Sequence, residues 1–125
     1  ENIHQFVKNG GYLFGICLGM QLLFKNGTDE RTGLNIDGIG IIEGTCEKFL
    51  NINKHSLPLP HIGFNKVAYR IAKIKKNTDY KISSTNYGEN FISFIECKKV
   101  FGAQFHPEKS HSCGLKLIKN FCDLD

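Results

Sequence analysis

A cysteine stands between two glycines in Phe14-Gly15-Ile16-Cys17-Leu18-Gly19. The thiolate is the nucleophilic form of this side chain, and its surroundings decide whether it forms. Gly-x-Cys-x-Gly has the spacing of a nucleophile elbow with cysteine in place of serine. Such an elbow turns sharply from strand to helix. Glycines two before and two after leave the backbone room to fold back, and the side chain stands out at the end of the sheet. The following helix aims free N–H groups and its dipole at the sulfur, which favours thiolate. The amide of Leu18 would then point at an oxyanion formed on an attacked carbonyl. Alone, the motif also suits a buried structural cysteine beside two packing glycines, so its meaning depends on its partners.

A thiolate nucleophile needs a base that later protonates the leaving group. Gln104-Phe105-His106-Pro107-Glu108-Lys109-Ser110 supplies one. His106 closes an apolar run that Pro107 stops from continuing as a central strand. In extended backbone, positions i and i+2 share a side. Glu108 is therefore expected to hold one ring nitrogen of His106 while the other faces Cys17. Cys17, His106 and Glu108 would then be nucleophile, base and orienter. Among the other histidines, His4 and His55 fit surface roles and His61 fits packing or an interface. His111 and Cys113 follow His106 closely, but no fourth ligand at zinc spacing is visible, so no metal site is expected.

These residues need elements to position them. Asn2 to Val7 fits the tail of a helix that Asn9-Gly10-Gly11 ends. The sequence therefore starts in mid-element, and upstream residues are expected. Tyr12 to Ile16 suits a buried parallel strand. Leu18 to Phe24 suits a helix with Leu18, Gln21 and Leu22 at helical spacing. Residues 25–38, rich in Gly, Asn and acidic side chains, suit a loop. Gly38 to Phe49 has β-prone stretches. Pro58 and Pro60 precede a strand expected at Gly63 to Val67. Residues 68–81 are lysine-rich and carry no clear period. Ile82 to Thr85, a turn at residues 86–88, and a hairpin of residues 91–96 with 100–105 follow. Ser112 to Phe121 presents Leu115, Leu117, Ile118 and Phe121 as one apolar face, with Ser110 or Ser112 as its cap. The order predicts one α/β domain over residues 1–125, with a partly parallel and partly antiparallel sheet.

The 125 residues suffice for a single core. The formal net charge of +4 is spread along the chain and gives no argument for nucleic acid. No apolar run is long enough for a helix to span a bilayer. The five cysteines are odd in number and include no C-x-x-C pair, which fits a reducing cytoplasm.

Taken together and in this order, "GICLGMQ" and "GAQFHPEKS" resemble the class I (triad) glutamine amidotransferases. "LPHIGFN" at 59–65 narrows the resemblance to the glutaminase subunits of imidazole glycerol phosphate synthases of histidine biosynthesis. The resemblance runs from about Asn2 to Phe121. It implies a flavodoxin-like three-layer α/β fold with a mixed sheet, here lacking its N-terminal strands. It implies Cys17 as the nucleophile that forms a glutamyl thioester, His106 as general base and acid, and Glu108 as its orienter. It further implies an oxyanion N–H at Leu18 and substrate contact by Gln21. Asn65 and Lys109 match positions near a (β/α)8-barrel cyclase partner. That partner would receive the ammonia and make imidazole glycerol phosphate and an aminoimidazole carboxamide ribotide. No cofactor is implied.

The chain departs from the family pattern in three places. The glycine-rich loop that completes the family's oxyanion hole precedes any residue here. Phe64 stands where tryptophan is common. The stretch between Asn65 and Tyr87 is short and lacks a histidine-serine-tyrosine motif that shapes the glutamine site. Three rival readings follow. One is an amidotransferase that supplies ammonia for sugar amination in surface polysaccharide synthesis. Another is an inactive interaction subunit. The last is a cysteine hydrolase of other amides.

Overall fold

The computed structural model describes residues 2–29, 32–48, 70–74, 79–87 and 89–124. The expected strand at Gly63 to Val67, with Phe64, Asn65 and His61, lies outside the described residues, as does His55.

Helix α1 (Ile3–Lys8) is capped by Asn2, whose Oδ1 accepts from the Gln5 N–H at 2.9 Å. It ends at Gly10, which takes a φ of +90°. Strand β1 (Leu13–Ile16) follows, then helix α2 (Leu18–Leu23) and strand β2 (Phe24–Thr28). Strands β3 (Asn35–Asp37), β4 (Ile42–Lys48) and β5 (Arg70–Ile74) come next. Strands β6 (Lys81–Tyr87), β7 (Glu89–Cys97) and β8 (Val100–Ala103) lead to a single 3₁₀ turn (Pro107–Lys109) and helix α3 (His111–Cys122).

The strands form two four-stranded sheets, ordered β1-β8-β7-β6 and β3-β2-β4-β5. Both are mixed. In the first, β1 and β8 are parallel, whereas β8-β7 and β7-β6 are antiparallel. In the second, β2 and β4 are parallel between antiparallel neighbours. Side chains alternate across the first sheet, as the two-residue period requires. Phe14, Phe94 and Phe101 turn to one face, where Phe121 of α3 meets Phe14 at 5.2 Å and Phe101 at 5.7 Å between ring centroids. Ile95, Val100 and Gly102 turn to the other, where they meet Met20 and Leu23 of α2 and, from the second sheet, Ile42 and Ala72. The layers are thus α3, the first sheet, and α2 with the second sheet.

Three local expectations are corrected, and two features are added. Residues 25–38 are not simply a loop: β2 and β3 pair there. Their polar composition hides the strands because cross-strand bonds, such as Asn26 Nδ2 to Asp37 Oδ1 at 3.0 Å, hold this edge instead of apolar burial. The β6–β7 pairing runs up to Tyr87 and Glu89, so residues 86 and 87 are strand rather than turn. In α2 the core face is Met20 and Leu23, three apart, while Leu18 is 63% exposed and Leu22 also faces out. In α3 Leu117, Ile118 and Phe121 are half-buried, but Leu115 is 59% exposed. Residues 70–74, where no period was legible, form β5 against β4.

Candidate active site

Cys17 occupies the hinge between β1 and α2, with φ +52° and ψ −108°. This backbone conformation is sparsely populated for any side chain and costs about 1–3 kcal/mol. It is held from both sides. The Cys17 N–H donates to the Ala103 carbonyl at 2.7 Å, and the Cys17 carbonyl accepts from Gln21 N–H at 3.2 Å. Gly15 lets the turn close: a Cβ there would lie 2.6 Å from the Gly19 carbonyl oxygen and 2.8 Å from the Met20 nitrogen. Gly19 has nothing within 4 Å of the equivalent point. Of the two flanking glycines, only Gly15 is required by close approach.

Parallel pairing of Ile16 with Ala103 ends β1 and β8 at the same sheet edge. Cys17 and Gln104 are the next residues on the two strands, and His106 lies two further on. The His106 Nδ1–H donates to Glu108 Oε1 at 2.5 Å. The expected pair therefore forms, though not on extended backbone: Pro107 turns the chain into the 3₁₀ turn, and Glu108 reaches back across it. Partial burial works to raise the Glu108 pKa. The hydrogen bonds from His106 and from its own backbone amide, with the charges of His106 and Lys109, outweigh it and hold the carboxyl below its usual range. Nδ1 is committed to Glu108, which leaves Nε2 for a reacting group.

The turn is anchored to α3. Ser110 is buried, and its Oγ donates to the His106 carbonyl at 2.6 Å. It sits at the N-cap position of α3, yet its side chain does not cap the helix. Gly114 allows the helix to touch the turn, since a Cβ there would come within 1.9 Å of the Pro107 carbonyl oxygen.

Gln21 faces a cavity of about 450 Å³ between α2 and the β2–β3 edge, also lined by Leu18, Asn26, Asp29 and Asp37. Its Nε2 donates to Gln104 Oε1 at 3.2 Å. Gln104 in turn directs Nε2 at Cys17 Sγ, 3.9 Å away. Sequence alone gives Gln104 and Gly114 no role in the site and marks Ser110 only as a helix-cap candidate. The signal available was a polar glutamine inside the apolar run from Val100 to Phe105. Lys109 is exposed on the 3₁₀ turn. His4, read as a surface residue, donates from Nε2 to the Ile39 carbonyl at 2.6 Å and ties α1 to the segment before β4. Among the described residues no group of three His, Cys, Asp or Glu side chains could hold a metal ion. No described helix is long and apolar enough to cross a membrane.

Comparison with known proteins yields a family. Residues 1–124 match the family described as glutamine amidotransferase class-I. The chain is 39% identical to imidazole glycerol phosphate synthase subunit HisH of Methanocaldococcus jannaschii, over 99% of this chain and 69% of that protein. It is 38% identical to the subunit of the same name from Buchnera aphidicola, over 90% of this chain and 63% of the relative. A protein of Arabidopsis thaliana named imidazole glycerol phosphate synthase hisHF, chloroplastic, is 33% identical over 97% of this chain and 23% of its own length. The chain thus spans about two thirds of the length of the first two relatives.

Proposed function

This chain belongs to the class I glutamine amidotransferase family, and on that premise we propose that it releases ammonia from glutamine through a thioester on Cys17. The observation that carries the reading is the hinge. Cys17 is held at φ +52° at the start of α2, at the sheet edge where β8 leads into the His106–Glu108 pair.

The steps follow from these groups. The Cys17 thiol passes its proton to His106 Nε2, and the thiolate attacks the side-chain amide carbon of glutamine, so that a C–S bond forms as the C=O π pair moves onto oxygen as an oxyanion. The Leu18 N–H, at the first helical position where no intrahelical partner exists, donates to that oxygen. As the C–N bond breaks, His106 Nε2 gives a proton to the departing nitrogen, and ammonia leaves. His106 then takes a proton from water, whose oxygen attacks the thioester carbon. Glutamate departs and the thiolate is restored. Glu108 keeps Nδ1–H in place and stabilises the imidazolium that forms.

The cavity beside α2, whose lining residue Leu18 adjoins Cys17, is the proposed site for the α-amino and α-carboxyl end of glutamine. Its volume of about 450 Å³ suits a small ligand. The Asp29 and Asp37 carboxylates supply negative charge for an α-ammonium, and Gln21 supplies amide contacts. The ammonia acceptor is proposed to be a (β/α)8-barrel cyclase in a heterodimer, which makes imidazole glycerol phosphate and the aminoimidazole carboxamide ribotide. The names of the relatives support this acceptor over sugar amination, and the fused Arabidopsis relative supports a close physical partnership. Lys109, exposed beside the catalytic turn, and Asn65 are the proposed contacts to that partner. A reducing, cytoplasmic setting is proposed from the odd number and the spacing of the five cysteines.

The test is ammonia release from glutamine by the full gene product, with and without a co-expressed cyclase from the same genome. Release that rises with the partner and vanishes in Cys17→Ala supports the reading. Folded protein that releases none under either condition overturns it.

A further inference from the structure

Gln104 is 1% exposed, a polar side chain in the core just beyond β8. Burying an amide is costly unless both ends are paired, and an apolar residue would fill the position at lower cost. Its two ends have different partners. Oε1 accepts from Gln21 Nε2 at 3.2 Å, and Nε2 faces Cys17 Sγ at 3.9 Å. The Gln104 backbone N–H donates to the Ser93 carbonyl at 2.9 Å, so β7 fixes the main chain from which the side chain extends.

We propose that Gln104 is a positioning residue for the nucleophile. It donates a hydrogen bond that holds the Cys17 sulfur and supports its ionised form, and Gln21 sets which end of its amide faces the sulfur. The proposal rests on the reading of Cys17 as nucleophile and adds to it. A thiol accepts hydrogen bonds weakly, which suits the long 3.9 Å contact. A thiolate accepts them strongly, so ionisation draws the N–H inward. Only the N–H end of an amide stabilises an anion, and a flipped amide would set its oxygen against the sulfur. Gln21 opposes a flip of Gln104 alone, which would set the two NH2 groups against each other. Because Gln21 also lines the cavity, whatever fills the cavity and engages Gln21 acts on the sulfur through Gln104.

The experiment measures iodoacetamide alkylation of Cys17 in the folded protein by peptide mass mapping. It uses pH 7 and pH 10, with exposed Cys113 and Cys122 as internal references. Gln104→Met keeps the length and removes the donor. Alkylation of Cys17 in this variant is expected to be about three- to tenfold slower at pH 7 and unchanged at pH 10. A folded Gln104→Met protein alkylated at the wild-type rate at pH 7 overturns the proposal. So does equal slowing at both pH values, which would mean altered access alone. Gln21→Ala is expected to slow alkylation at pH 7 by a smaller factor, and to add nothing in the Gln104→Met background. Additive effects would overturn the route through Gln104. If Gln104→Met does not fold, Gln21→Ala decides alone, slowing at pH 7 supporting the proposal and a wild-type rate overturning it. No arm needs glutamine hydrolysis. Failure of the amidotransferase reading and failure of this proposal are therefore separate results.

Discussion

Gly15→Ala adds one methyl group at the tightest point of the hinge. Its Cβ would lie 2.6 Å from the Gly19 oxygen, 2.7 Å from the Gly19 carbon and 2.8 Å from the Met20 nitrogen. All three are backbone atoms, so no side chain can swing away. To restore ordinary contact, the first turn of α2 must move from β1 by about 0.6–0.8 Å, with the strain typical of overpacking. Met20 and Leu23 in that helix are fully buried, so the core resists the movement. The expected cost is about 1–3 kcal/mol, or a fall in Tm of about 5–15 °C for a domain of this size. Displacement of the Cys17 sulfur by most of an ångström is expected to lower kcat for glutamine hydrolysis about 10–100-fold. The assay pairs thermal unfolding with steady-state ammonia release. Gly19→Ala is the comparison: it meets no atom within 4 Å and should hold or raise Tm, because alanine favours helix. Wild-type Tm and kcat in Gly15→Ala would refute the steric account of the hinge, as would a larger loss of stability in Gly19→Ala.

Three further outcomes follow from the same geometry. Glu108→Gln removes the charge that holds the imidazolium and should lower kcat about 100-fold with a small change in KM, read from steady-state kinetics. Because the Glu108 carboxyl is held below its usual range, its contribution is complete above the unfolded value and is lost only as pH falls through the depressed folded one. The acidic limb of the wild-type rate profile should therefore not follow a group titrating at the ordinary carboxylate pH. Gly114→Ala drives a Cβ into the Pro107 carbonyl, and should lower Tm and activity together by displacing the turn that carries His106 and Glu108. Lys73→Met removes the 2.6 Å partner of Glu47. The Lys73 hydrogen bond is the main cause that lowers the Glu47 pKa, ahead of burial, which opposes it. Both groups are partly exposed, so urea unfolding at pH 7 should show a loss of about 0.5 kcal/mol or less. The difference from wild type should shrink as pH falls through the folded Glu47 value, where the carboxylate protonates and the pair is lost.

Much of the site is legible in the sequence because its parts are local. Gly15-Ile16-Cys17 encodes a turn whose steric demand involves residues only a few positions apart. His106-Pro107-Glu108 encodes a carboxylate two residues from its ring. What the sequence conceals is tertiary. Gln104 reads as one polar residue in an apolar run, and its link from Gln21 to Cys17 exists only once β1 and β8 pair in register. The leucines of α2 and α3 show the same limit. Leu18, Leu22 and Leu115 fit a helical stripe as well as the residues that are buried, and only packing against the sheet selects Met20, Leu23 and Phe121. β2 and β3 escape notice because polar cross-strand bonds hold them, and propensity scales weigh apolar burial.

The central claim is a covalent intermediate on Cys17. Its most direct measurement treats the protein with a glutamine-mimicking electrophile and maps the modified peptide by mass spectrometry, with and without excess glutamine. An adduct on Cys17 that glutamine suppresses is expected, together with ammonia release that disappears in Cys17→Ala. Labelling of Cys17 that glutamine leaves unchanged, or ammonia release that persists in folded Cys17→Ala, would contradict it.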